Sequence, residues 1–358
     1  MAASQTRADM RSVVLVVPGR LHTRTGGYEY DRRIVEGLRE DGWWVDVREL
    51  SGSYPTPTAA DREQASRVLA NLPPRSVVVV DGLALGALPG EIERAASRLR
   101  FVALVHHPLA LETGLPDGLR RDLEESERRA LAFVRRVVVT SHATAATLAD
   151  YAVTADRIHV VEPGTDPAPR AKGSAGADVQ LLCVATLIAR KGHDLLFQAL
   201  AAATERHWRL RCVGSERDRA VGRRLRELVR QLDLTDRVIF TGEADRKAIA
   251  RQYDEADVFV LATWFEGYGM AVAEALARGL PIVSTRTGAI PEIVPAHAGL
   301  LVAPGDVRAL TAAISSVLSD PSLRRRLTEG AGAARARLPT WPMAAAKLGV
   351  ILESVGQA

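Results

Sequence analysis

Short β-branched runs alternate with longer amphipathic segments along nearly the whole chain, and the alternation stops once before restarting. In the first half, Ser12–Val17, Trp44–Leu50, Ser76–Asp81, Phe101–His106, Arg136–Thr140 and Ile158–Glu162 read as strands. Helical patterns such as Glu29–Asp41, Ala60–Ala70 and Asp117–Phe133 separate them. Pro163-Gly164-Thr165-Asp166-Pro167-Ala168-Pro169 and then Lys172-Gly173-Ser174-Ala175-Gly176 can continue neither a helix nor a central strand, so they read as a linker. Beyond it, Val179–Ala185, Trp208–Val213, Arg237–Thr241, Asp257–Leu261, Pro281–Ser284 and Leu300–Val302 are the strand candidates. Such repetition predicts parallel sheets covered by helices on both faces. The expected fold is α/β, with a Rossmann-like domain over residues 1–167, a second over 178–340, and a cleft between them. A length of 358 residues suits two domains. In such folds ligands bind beyond the carboxyl ends of the strands, so chemistry is expected in the strand-to-helix loops.

Composition narrows the function. The net charge is +4, and 43 of the 47 basic residues are arginine; the lysines are Lys172, Lys191, Lys247 and Lys347. The arginines are interleaved with acids, as in Arg120-Arg121-Asp122-Leu123-Glu124-Glu125-Ser126-Glu127-Arg128. Solvated helix faces have this pattern, whereas a nucleic-acid binder gathers basic residues on one face with aromatics between them. No nucleic-acid partner is expected. In so lysine-poor a chain each lysine is a candidate for a specific task. No run approaches the 18 apolar residues of a transmembrane helix, and Ser12–Val17 is too short for a signal-peptide core. Cys183 and Cys212 are too few for a disulfide framework and lack a partner set for a metal site. The expectation is a cytosolic protein, or one lying peripherally on the cytosolic face of a membrane.

The most informative segment is Thr263-Trp264-Phe265-Glu266-Gly267-Tyr268-Gly269-Met270-Ala271-Val272-Ala273-Glu274-Ala275-Leu276-Ala277-Arg278-Gly279-Leu280-Pro281. A strand ends near Leu261, a glycine-containing loop follows, and a helix runs to about Arg278 with Gly279 as its stop signal. A helix start preceded by glycines offers free backbone N–H groups and a positive dipole end to a phosphate. Glu274 lies among small apolar residues, where a carboxylate costs several kcal/mol unless it is paired or hydrogen-bonded. It is either ion-paired with one of the arginines or grips ligand hydroxyls such as a ribose diol. Glu266, eight residues earlier at the loop, could reach a second hydroxylated group.

Glu266 and Glu274 stand within Glu-Gly-Tyr-Gly-Met-(x)3-Glu-Ala-Leu-Ala-(x)-Gly-Leu-Pro, which resembles the signature of the retaining glycosyltransferases of family four. Five further stretches of the second domain resemble the same family: Val184–Gly192, Arg211–Ser215, Phe240–Glu243, Thr287–Glu292 and Gly299–Asp306. The resemblance implies a GT-B fold. It also implies that Glu274 binds the ribose of a nucleotide sugar and Glu266 a hydroxyl of the transferred sugar. The amides of Tyr268, Gly269 and Met270 would hold the diphosphate, and Gly267, Gly214, Gly242 and Glu243 would line the rest of the donor site. Lys191, which could otherwise be a solvated lysine at a helix start, would neutralise phosphate charge that grows as the bond to the sugar breaks. Where the family usually has an arginine this chain has Thr186, and Arg190 could take over its charge.

The match is looser in the first domain. Gly26-Gly27, expected in a loop before a helix starting at Tyr28, resembles the family's glycine pair near donor phosphates and acceptor. His106 resembles the histidine that meets the donor sugar across the cleft, with His107 its competitor. Tyr30, Asp31 and Arg32 lie on the neighbouring helix, with nothing in the sequence to say which meets an acceptor. The segment from Leu338, with a helix over 341–358, resembles the family's closing helix that crosses back onto the first domain. The implied activity is hexose transfer from a nucleoside diphosphate sugar to an unidentified acceptor, whether small molecule, glycan or lipid, with retained anomeric configuration. No cofactor and no metal are expected, since no Asp-x-Asp pair sits at a strand end. The alternatives are a sugar-nucleotide epimerase or phosphorylase on the same fold, or a non-catalytic nucleotide-sugar-binding module. A dinucleotide-dependent oxidoreductase is disfavoured, because no Gly-x-Gly-x-x-Gly follows the first strand of either domain.

Overall fold

The computed structural model describes residues 11–357; the outer ends of the two domains expected from sequence, residues 1–10 and 358, lie outside the described residues. In chain order the first half comprises β1 (Ser12–Pro18), α1 (Gly26–Glu40), β2 (Trp44–Leu50), α2 (Ala59–Ala70), β3 (Val77–Asp81) and α3 (Gly82–Leu85). It continues with α4 (Pro89–Ala96), β4 (Arg100–Val105), α5 (Asp117–Leu131), β5 (Arg136–Val139), α6 (His142–Thr147) and β6 (Ile158–Val160). The second half holds β7 (Val179–Val184), α7 (His193–Ala202), β8 (Trp208–Val213), α8 (Arg219–Gln231), β9 (Val238–Gly242) and α9 (Arg246–Asp254). After these come β10 (Val258–Leu261), α10 (Met270–Ala277), β11 (Ile282–Thr285), α11 (Ile290–Ile293) and β12 (Gly299–Val302). The chain ends in α12 (Val307–Ser319), α13 (Pro321–Ala334) and α14 (Trp341–Gln357).

The chain divides into two compact units. One holds the residues up to Gly164 together with those from Pro339 onward; the other is Thr165–Leu338. Each is built on a six-stranded sheet, in the order β2-β1-β3-β4-β5-β6 in the first and β12-β11-β10-β7-β8-β9 in the second. Every strand pairing is parallel. Central strands of such sheets are covered on both faces and read as continuous apolar runs. Accordingly β3 (VVVVD) and β4 (RFVALV) are buried at every position, while the edge strand β2 is buried only at Val45 and Leu50. The two cores gather around Phe101, Leu104 and Leu131 in the first unit and Trp208, Phe197 and Phe259 in the second.

Strand order creates one topological switch point in each sheet, where successive connections leave in opposite directions. It lies between β1 and β3 in the first unit and between β7 and β10 in the second. Loops at such a point part and leave a crevice at the carboxyl ends of the strands. Helix caps differ there. The aspartates Asp218, Asp245, Asp306 and Asp320 accept backbone N–H bonds at the starts of α8, α9, α12 and α13. The helices that follow β1, β7 and β10 start instead at Thr25, Gly192 and Gly269, none with a side-chain cap bond.

The last helix packs on the first unit: Gly37 of α1 leaves room for the Ala345 methyl group, and Trp341 meets the Tyr30 ring edge-on at 6.0 Å. Among the described residues no helix is long and apolar enough to cross a membrane.

One buried carboxyl group holds the loop after β4. Glu127 of α5 is wholly inaccessible, and its Oε2 accepts the Leu109 N–H at 2.9 Å. Its Oε1 has no hydrogen-bond partner. Burial raises its pKa from 4.5 to about 8, against the lowering effect of the Leu109 N–H. The folded protein thus retains a proton that the unfolded chain releases, so this group's contribution to stability falls as the pH rises from about 5 through 8. Glu127→Gln keeps an acceptor for Leu109 and removes the titration. Urea unfolding of both proteins at pH 5 and pH 9 should show the variant gaining on wild type at the higher pH by about 2 kcal/mol or more, at about 1.4 kcal/mol per pKa unit. An equal difference at both pH values would mean that Glu127 is already ionised in the fold.

Candidate active site

The second unit's switch point brings together the loops after β7 and β10. Gly192, at φ +61°, starts α7, and a Cβ there would overlap the Ala262 carbonyl oxygen, so the two loops approach at glycine contact distance. Across this seam the Trp264 N–H donates to the Arg190 carbonyl at 2.8 Å, and Arg190 Nη1 donates to the Phe265 carbonyl at 2.9 Å. The Thr263 hydroxyl lies 3.1 Å from both of those carbonyl oxygens. The β11 side adds a third brace: Thr285 Oγ1 donates to Thr263 O at 2.5 Å, Thr287 Oγ1 to Trp264 O at 2.9 Å, and Ala289 N to Glu266 O at 3.0 Å.

At the centre of this braced loop Lys191 Nζ and Glu266 Oε1 form an ion pair at 2.6 Å, with side-chain exposures of 17% and 8%. The sequence assigned both residues to the site, and the fold brings them into contact. Burial lowers the Lys191 pKa, and the Glu266 carboxylate opposes that shift without cancelling it.

Past Glu266 the chain runs through Gly267 and buried Tyr268 to Gly269, whose φ of +102° turns it into α10 at Met270. Tyr268 packs against Ala273 and Ala289 and fixes the entry to the helix. Glu274 lies one turn into α10 and is half-buried. Its Oε2 is 2.9 Å from the hydroxyl of Tyr253, a wholly buried side chain on α9 whose hydroxyl also lies 3.1 Å from Ala271 O. Burial, and next the Glu274 charge, push the Tyr253 pKa well above its ordinary value, so the phenol keeps its proton. The Arg278 guanidinium stacks over the Tyr253 ring at 4.4 Å and donates to the Glu274 backbone carbonyl. Gly214, beyond β8, donates its N–H to Gly242 O at 2.9 Å, and a Cβ on it would overlap Ala185 O. Thr186 follows the neighbouring strand β7 and is half-buried, while Gly242 and Glu243 are exposed at the end of β9.

In the first unit the structure corrects one expectation. Gly26 and Gly27 are not in a loop before the helix but form its first turn, because Thr25 adopts the extended conformation of an N-cap and the chain is helical from Gly26. Lacking side chains there, the turn comes close to His106: a Cβ on Gly27 would stand 3.4 Å from His106 Cδ2. His106 follows the last residue of β4. Its Nε2 lies 3.0 Å from Asp31 Oδ1 and 3.5 Å from Asp81 Oδ2. Asp31 is on α1 and Asp81 closes β3, so all three sit at the β1/β3 switch point. One nitrogen of His106 and one oxygen from each carboxylate all lie within 4.8 Å of one another, with the imidazole set against both carboxylates. Burial alone would lower the His106 pKa, but Asp31 and then Asp81 outweigh it and raise it to about 10. Burial raises that of Asp31 to about 6, with His106 opposing. Asp81 and Tyr253 were not singled out in the sequence; a lone acid at the end of β3 was the available signal for the first, and none existed for the tyrosine hydroxyl.

Residues 178–320 match the family described as Glycosyl transferases group 1, and residues 51–169 match Glycosyltransferase Family 4. The chain is 27% identical over 329 residues to an MMP alpha-(1->4)-mannosyltransferase of Mycolicibacterium hassiacum, covering 86% of this chain and 79% of the relative. It is 31% identical over 297 residues to a D-inositol 3-phosphate glycosyltransferase of Xylanimonas cellulosilytica, covering 75% of this chain and 70% of that protein. A sucrose-phosphate synthase from Thermosynechococcus elongatus has the same fold, with a TM-score of 0.81 at 23% identity over 96% of this chain and 98% of that one. So does Anabaena HepE, solved in complex with UDP and glucose, with a TM-score of 0.78 at 16% identity over 96% of this chain and 100% of that one. Shared sequence over most of the chain and the same α/β architecture throughout place the protein in glycosyltransferase family 4: it is a glycosyltransferase of the GT-B fold.

Proposed function

We propose that this glycosyltransferase moves a hexose from a nucleoside diphosphate sugar to a hydroxyl of its acceptor, with retention of configuration and without a metal ion. The observation that carries this reading is the Lys191–Glu266 pair at the β7/β10 switch point, one short loop away from the uncapped start of α10. Lys191 has three donors, so its ammonium can keep Glu266 and still take a phosphate oxygen. Charge grows on the diphosphate as the bond to the sugar breaks, and Lys191, the amino end of α10 and the nearby positive charge of Arg190 oppose it. Glu266 accepts a hydroxyl of the transferred sugar, and Glu274, steadied by Tyr253, accepts the ribose hydroxyls. His106 and the first turn of α1 serve the sugar-and-acceptor end of the reaction. Glu266 is committed to Lys191, so the acceptor oxygen attacks from the face the phosphate leaves, and the departing phosphate oxygen takes the acceptor's proton. Relatives named for mannose transfer, and a fold neighbour solved with UDP and glucose, support a nucleotide-linked hexose as donor.

The two glutamates should fail differently. Glu274→Gln keeps size but loses the charge that grips a diol, so calorimetry with UDP and GDP should show affinity weakened by about 1.5–3 kcal/mol with the fold intact. Glu266→Gln should bind the sugar-free nucleotide almost as wild type does, while turnover of the nucleotide sugar drops tenfold or more, the mark of an interaction stronger in the transition state. Equal losses of nucleotide affinity in both variants, or unfolding of both, would make the carboxylates structural.

Tyr253→Phe tests the support behind Glu274. Losing one buried hydrogen bond to a charged group should weaken nucleotide binding by about 1–2 kcal/mol and raise KM for the donor, leaving kcat within about twofold. A fall in kcat at unchanged KM would place the tyrosine in the chemical step instead.

A further inference from the structure

The trio at the β1/β3 switch point decides what kind of group His106 is. Its Nε2 faces Asp31 Oδ1 at 3.0 Å and Asp81 Oδ2 at 3.5 Å, so the proton on that nitrogen is held by two carboxylates. The Asp31 side chain is wholly buried, and its second oxygen, Oδ2, has no hydrogen-bond partner, so its charge is answered by His106 at its first oxygen. Tyr30 and Arg32 on α1 are further titratable or charged groups around the trio, and His107 follows His106 in the chain. The Tyr30 ring meets the imidazole edge-on at 5.1 Å, and burial keeps that phenol neutral; the Arg32 charge acts on Asp31 and favours its ionised form. Nδ1 makes no hydrogen bond to the described residues and is not among the buried unpartnered atoms, and the side chain retains 21% exposure.

We propose that Asp31 and Asp81 are positioning residues that keep His106 protonated on both ring nitrogens, so that its outward Nδ1–H is a permanently charged hydrogen-bond donor to a ligand oxygen and never a base. One carboxylate on a histidine orients the ring and supports a charge that forms during reaction. Two carboxylates, one of them fully buried, place the charge there beforehand, since an opposite charge within about 4 Å favours the ionised state and burial strengthens the effect. The consequence, which rests on the reading of His106 as a ligand-facing residue, concerns the acceptor's proton. His106 cannot take it, so as the sugar–phosphate bond breaks and the sugar–acceptor bond forms, that proton passes to the leaving phosphate oxygen.

The test separates the charge from the reading. Two-bond proton–nitrogen spectra of the full-length 15N-labelled protein, with His106→Gln for assignment, follow both ring nitrogens from about pH 6 to pH 10. Wild-type His106 should remain doubly protonated beyond about pH 9, and Asp31→Asn should bring its midpoint down by about 2 units. Asp81→Asn, at the longer distance, should move it in the same direction by less, which keeps the test alive if the Asp31 variant fails to fold. A wild-type midpoint below about pH 7.5, or one that neither variant moves, overturns the proposal. Nucleotide release from the sugar donor, measured over the same pH range, should gain an alkaline fall-off in Asp31→Asn that wild type lacks and that acidification reverses. A merely structural role would lower activity at every pH without a new limb. A shifted midpoint with no new limb would uphold the charge and overturn the ligand-facing role of His106.

Discussion

The Lys191–Glu266 contact is the interaction on which the second unit's functional edge depends. A buried ion pair is weak evidence for stability, because desolvation of both partners opposes their attraction. Its value here is geometric. The pair can form only if the loops after β7 and β10 lie against each other, and that approach is secured by groups with no charge: the absence of a side chain at Gly192, the Thr263 and Thr285 hydroxyls, and backbone bonds from Trp264 and Ala289. Arg190, adjacent in sequence to Lys191, is spent on the Phe265 carbonyl as part of the same seam. The expectation that Arg190 substitutes for a missing arginine at Thr186 thus acquires a physical qualification: its charge is near the site, but one guanidinium nitrogen already braces the loop that presents Glu266.

Much of this was legible in the sequence because parallel α/β folds write themselves in apolar runs. All twelve strands expected from the pattern are strands, with ends displaced by at most two residues, and in the central strands, buried on both faces, the apolar run itself marks the extent. The Glu266–Glu274 segment was legible for a different reason: a carboxylate among small apolar residues contradicts its surroundings and demands a task. Where such contradiction is lacking, the reading fails. Gly26 and Gly27 looked like loop because glycine disfavours helix interiors, yet the penalty is small in a first turn, where N–H groups have no intrahelical partner in any case. Tyr253 carries no such contradiction, and only the fold sets its hydroxyl against Glu274.

Asp31 and Asp81 illustrate a third kind of limit. Asp31 lies on an amphipathic helix and Asp81 at the end of an apolar strand, and each has an ordinary explanation alone: a helix-surface acid, and a cap for α3 through the Leu83 N–H. Their meaning comes from convergence on His106 across 75 and 25 residues of chain. Sheet order produces that convergence. With β1, β3 and β4 adjacent, the loops after them share one edge, and anything polar at those strand ends becomes a neighbour of anything polar on α1.

The two switch points therefore solve one electrostatic problem in opposite senses. In the second unit the lysine cation is held by one carboxylate, and burial pulls its pKa down, so its proton is bound more loosely than in water. In the first, a weaker base is held by two carboxylates, and its proton is bound far more tightly. Both arrangements set a basic group against carboxylates at the carboxyl edge of a parallel sheet. Groups oriented in advance need no reorganisation when charge develops on the reacting atoms, and water, which would have to reorient, is replaced by fixed protein dipoles. The cost is that each charge must be neutralised within the fold. That is why the residues with the strongest chemical character, Lys191 and His106, are also those most firmly bound to their own neighbours.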